Sequence, residues 1–123
     1  MRIDTARFEE LVGRALDGMP EWVQEQMKNV SVLVRPWPTP GQAERAKIER
    51  GTTLLGLYEG VPLTRRGRGY HLMPPDRITL FMLPLATHAQ DELALEQLIR
   101  RTVVHEISHH FGFTEDQIRD LGY

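Results

Sequence analysis

Residues 91–112 read DELALEQLIRRTVVHEISHHFG, and the fold turns on this stretch. Leu95, Leu98, Ile99, Val103, Ile107 and Phe111 recur at helical spacing, with Leu, Ala, Glu, Gln and Arg filling the positions between them. Asp91 and Glu92 open the run, where negative charge suits the positive end of a helix dipole. Gly112 supplies the stop. The stretch is therefore predicted to be one long helix. Leu98, Thr102, His105 and His109 step by four, three and four along it, so the two histidines continue a core-facing stripe.

His105 and His109 stand one turn apart on the same face, where two imidazoles can reach one metal ion at about 2.0–2.1 Å. Glu106 is offset around the helix but borders that face, within reach of a water at the metal, and is placed to act as a general base. His105-Glu106-x-x-His109 is thus a metal-site motif. It extends to Gly112-x-x-Glu115. A glycine there lets the chain leave the helix and turn back toward the metal. Catalytic zinc takes three protein ligands and keeps a fourth position open. Glu115 is the expected third ligand, with Asp116 its nearest competitor and Asp120 or the C-terminal carboxylate more distant options. Thr114 also reads as the N-cap of a short last helix, which would put Glu115 in its first turn. His110 points about 100° away from His109 and reads as a packing or supporting residue.

Composition bounds the rest. The 123 residues carry 41% hydrophobic and 26% charged side chains, a net charge of −2 and no cysteine. That is enough chain for one domain, expected to span 1–123. Without cysteine a metal must be held by nitrogen and oxygen, which favours Zn2+ by ligand type. The acidic balance argues against a nucleic-acid partner. No signal peptide or membrane span is visible, so a cytoplasmic protein is expected.

Outside the motif, residues 4–18 read as an amphipathic helix, and Pro20 opens a second helix through Met27. Val30–Val34, Thr53–Tyr58 and Arg77–Leu83 read as strands. Residues 36–42, PWPTPGQ, read as a stiff loop, Ala43–Arg50 as ambiguous, and 59–62 and 74–76 as turns. The expected fold class is α+β, a small sheet packed against helices. Arg65, Arg66 and Arg68, beside Tyr70 and His71, form a basic loop that reads as a solvated turn or, less simply, a contact for a polyanion. His71, His88, Tyr58, Tyr70 and Tyr123 are available hydrogen-bond donors for an oxyanion. Trp22 and Trp37 read as core and loop-packing residues.

Two blocks carry a resemblance. One is LLGLYEGVPLTRRG at 54–67 followed by PDRITLF at 75–81. The other is TVVHEISHHFGF at 102–113, ending near Leu121-Gly122. Together they resemble the small zincin-like metallopeptidase family of bacteria, over roughly the C-terminal two-thirds of the chain. The resemblance implies a compact α+β zincin-like fold, His105 and His109 as zinc ligands, Glu106 as catalytic acid/base, and Glu115 or its neighbour completing the site. It implies hydrolysis of a peptide or unfolded protein and names no particular substrate. It also points to a strand edge beside the motif helix as the seat of an extended peptide, a role expected here of Arg77–Leu83. Little chain follows Gly112 to build the lower subdomain of larger zincins. A metal-binding interaction module without catalysis is the alternative reading.

Overall fold

The computed structural model describes residues 1–44, 54–60 and 76–123. Helix α1 (Thr5–Asp17) starts at Asp4, whose carboxylate accepts from the Arg7 amide at 2.7 Å. Helix α2 (Glu21–Met27) follows Pro20. Three strands come next: β1 (Val30–Arg35), β2 (Gly56–Gly60) and β3 (Asp76–Phe81). Then come α3 (Met82–Thr87), α4 (Glu92–His110) and α5 (Glu115–Asp120). The architecture is α+β, as expected.

The sheet order is β1-β3-β2. β1 runs parallel to β3, pairing Val32 with Ile78, and β2 runs antiparallel to it, pairing Tyr58 with Ile78. The expectation that 77–83 offers a free edge is therefore wrong. β3 is the central strand, and both of its edges are taken. Its residues Ile78, Thr79, Leu80 and Phe81 are all buried, so both faces of the strand are covered as well. Among the described residues β2 is the strand that packs most closely on the motif helix.

Two further expectations are corrected. The third strand stops at Phe81, and residues 82–87 form α3, because Pro84 falls in its first turn, where a missing N–H costs no helical hydrogen bond. The loop expected over 36–42 gives way to helix at residue 40. Thr39 and Gln42 cap that helix reciprocally, the Thr39 amide donating to Gln42 Oε1 at 2.9 Å and the Gln42 amide to Thr39 Oγ1 at 3.1 Å. Trp37 is 59% exposed instead of packed. The basic cluster at Arg65, Arg66 and Arg68, with Tyr70 and His71, the turn at 61–62 and most of 43–50 lie outside the described residues.

The main core lies between the sheet, α1 and α4. Phe8, Leu11 and Ala15 of α1 meet Leu95, Ile99, Val103 and Ile107 of α4, with Ile78 and Leu80 beneath. Burying each such side chain stabilises the fold by about 1.5–3 kcal/mol. Leu54, Leu57 and Phe81 form a smaller cluster on the opposite face of the sheet. Charges tie α1 to α4 at the rim. Arg7 donates from Nε and Nη2 to the two carboxylate oxygens of Glu92 at 2.9 and 2.7 Å, and Arg14 pairs with Glu96 at 3.0 Å. The Arg7 guanidinium holds the Glu92 carboxyl below the usual carboxylate range. Among the described residues no helix is long and apolar enough to cross a membrane.

Candidate metal centre

Helix α4 begins at Asp91, which caps the Ala94 amide at 2.8 Å, and carries both motif histidines in its last two turns. Its ligand stripe surfaces toward the C-terminal end: Thr102 is buried, His105 half-buried and His109 exposed. The rings of His105 and His109 stand 6.2 Å apart, centre to centre, at 62°.

Gly112 ends the helix with φ of 84°, a left-handed angle that an L side chain resists. The Phe113 amide reaches back to the Ser108 carbonyl at 2.8 Å and the Gly112 amide to the His109 carbonyl at 3.0 Å, the paired bonds of a Schellman turn. Phe113 then docks on Trp22 with ring centres 5.6 Å apart. Thr114 caps α5 in a box with Gln117, which makes Glu115 its first residue. Two caps in succession thus aim Glu115 back at α4. Its Oε1 lies 2.7 Å from His109 Nε2 and its Oε2 3.6 Å from His105 Nδ1.

One donor atom from each of His105, His109 and Glu115 lies within 4.8 Å of the others. Two imidazoles and a carboxylate are the donor set of a catalytic zinc site, and tetrahedral coordination at about 2.0–2.1 Å needs donors about 3.4 Å apart. The residues fit the ion, since Glu115 is exposed and free to swing the remaining distance. The other acidic residues near the turn go elsewhere. Asp116 pairs with Arg119, and Asp120 is exposed on the same short helix.

Glu106 is 5% exposed, and its Oε1 accepts the Tyr58 amide of β2 at 3.1 Å. The strand approaches that closely because of a glycine. A Cβ on Gly56 would sit 2.8 Å from the Thr102 methyl. His110 leaves the histidine–glutamate cluster and stacks on Tyr58, ring centres 4.0 Å apart. The Tyr58 hydroxyl donates to Asp76 Oδ2 at 2.5 Å. His88 contacts the carbonyl of Pro84 in its own helix at 2.8 Å. Two features went unread in the sequence, the Tyr58 amide on Glu106 and the Asp76 carboxylate on Tyr58, while the oxygen of Tyr123, the last residue and a distant option by sequence, lies 2.9 Å from His105 Nε2. Only the first left a trace, in the glycines that flank Tyr58 at 56 and 60.

Residues 27–123 match the sequence profile of a family described as zincin-like metallopeptidase. The chain belongs to that family. The match runs from the end of α2 through α5 and leaves α1 outside it. A solved structure of a conserved hypothetical protein from Thermus thermophilus is similar, with 26% identity, a TM-score of 0.56, and coverage of 88% of this chain and 94% of that one. Curated proteins give no match. The two histidines, Glu106 and Glu115 all lie in the matched region.

Proposed function

We propose that the protein is a zinc-dependent peptidase acting on peptides or unfolded chains. His105, His109 and Glu115 would hold the zinc. The convergence of their donor atoms within 4.8 Å, from two helices joined by a capped turn, carries this reading. Zinc bound there supplies Lewis-acid polarisation and lowers the pKa of water toward about 7. Glu106 takes the proton of the attacking water at its carboxylate and returns it to the leaving nitrogen. The Tyr58 amide bond orients that carboxylate. β2, the strand that packs on α4, would seat an extended substrate.

Glu106→Gln tests the assignment. The variant keeps the parent's zinc content and loses turnover by at least about 100-fold, the low end for a general base. Equal cleavage of a peptide library by parent and variant refutes it. The depth of Glu106 and its bond to Tyr58 favour a second reading, a metal-binding module that recognises a partner without catalysis. Chelator-sensitive turnover by the zinc-loaded parent excludes that alternative.

A further inference from the structure

Strand β2 and helix α4 keep step over three successive contacts. Gly56 lies against Thr102, the Tyr58 amide reaches Glu106, and Gly60 lies against His110, where a Cβ would stand 3.3 Å from the ring atom Cε1. Two strand residues advance about 6.6 Å and four helix residues about 6.0 Å, so the two elements match without strain. Alternation puts Gly56, Tyr58 and Gly60 on one face of β2, and Tyr58 supplies that face with its side chain. The Tyr58 ring is fixed at its face and at its tip. Its face stacks on His110, with ring centres 4.0 Å apart and planes at 25°. Its hydroxyl donates to Asp76 Oδ2 at 2.5 Å. Tyr58 pairs with Ile78 and Gly60 with Asp76, which makes Asp76 the diagonal neighbour of Tyr58 on the adjacent strand, a reach that suits an aromatic side chain. Gly60, opposite Asp76, leaves the room that the His110 ring takes.

We infer that Tyr58 is a positioning residue for Glu106, and that its hydroxyl bond to Asp76 and its stack on His110 hold its own amide on the Glu106 carboxylate. A flexible carboxylate side chain is oriented by a main-chain donor only as firmly as that stretch of chain is held. Residue 58 is held through its side chain to two other elements, β3 at Asp76 and α4 at His110. The second of these anchors lies one turn beyond Glu106 on the same helix face, so ring and amide grip one stretch of α4. The bond to Asp76 is to a carboxylate and half-buried, the kind of hydrogen bond that contributes most. The inference rests on the zinc-peptidase reading above and names the residue that keeps its base in place.

Tyr58→Phe keeps a ring on His110 and removes the hydroxyl bond. Hydrogen exchange of the residue-58 amide in the zinc-free proteins is the first measurement. It is expected to be about 10-fold faster in Tyr58→Phe, the low end for losing a bond to a charged group. Steady-state kinetics of the zinc-loaded proteins on one peptide is the second. There kcat is expected to fall about 10-fold, with KM and zinc affinity unchanged, because a displaced base slows the chemical step alone. Asp76→Ala should reproduce the faster exchange, and Tyr58→Phe should add nothing to it, as expected of two ends of one bond. Unchanged exchange in Tyr58→Phe overturns the inference. Faster exchange with kcat intact, or exchange effects of the two substitutions that add, also overturns it. A parent without chelator-sensitive turnover refutes the peptidase reading. The exchange comparison then decides by itself whether the Tyr58 hydroxyl holds the amide on Glu106.

Discussion

Along α4 the body of the helix is enclosed through Ser108 and only its C-terminal end, at His109 and His110, is open. Leu95, Ile99 and Val103 are fully buried against α1 and the sheet, with Arg7 and Arg14 clamping the rim. Six residues past Val103, His109 and His110 are exposed, and among the described residues the cover there is a short α5 with one buried residue, Ile118. The same helix therefore anchors the fold along its body and presents polar chemistry at its C-terminal end. Metal-ligating groups need access to ion and substrate, which a packed core denies. The packed body of the helix holds its exposed end in place.

The contrast is breakable from either end. Ile99→Ala should have the largest effect, a loss of about 2–5 kcal/mol in urea unfolding, because a fully buried side chain leaves a cavity. The folded fraction should still bind one zinc. At the other end, zinc at 100 times its Kd should stabilise the parent by about 2.7 kcal/mol. Glu115→Ala should lose that zinc-dependent gain in calorimetry while its metal-free stability stays within about 0.5 kcal/mol of the parent. A metal-free loss as large as that of Ile99→Ala would erase the distinction between the two ends.

Ser108 sharpens the boundary between them. Its hydroxyl is fully buried and has no hydrogen-bond partner among the described residues. Removing such a group relieves its desolvation cost, so Ser108→Ala should raise stability by about 1 kcal/mol in thermal unfolding, with zinc affinity retained. The smallest effect belongs to the rim. Arg7 depresses the Glu92 carboxyl, so folding gains from this pair above the ordinary carboxylate pKa and loses the gain as pH falls through the depressed value. Urea midpoints should fall more steeply below pH 4.5 in the parent than in Glu92→Gln.

Much of this was readable before the chain was folded. The α4 helix declared itself through apolar spacing, the acidic start at Asp91 and Glu92, and Gly112, all local signals. The turn at Gly112 and the Thr114 cap were equally local, and they point Glu115 toward His105 and His109. Asp116 competed on paper because adjacent residues share a distance along the chain. α5 separates them by rotation, and Asp116 turns to Arg119. β3 was misread as an edge because strand order is a pairing between distant residues, Val30–Arg35 on one side and Gly56–Gly60 on the other. α3 was missed because Met82 and Leu83 continue an apolar run that suits either strand or helix.

The order of residues alone determined that a helix would carry two imidazoles one turn apart, with a carboxylate between them and a glycine just beyond. Periodicity and capping act within a few residues, so they are written in the chain. Only the tertiary structure decided that Glu106 would be held by the Tyr58 amide and His105 by the Tyr123 oxygen. Main-chain groups such as the Tyr58 amide recur along the whole chain, and no sequence distinguishes one from another. Packing between remote segments selects them.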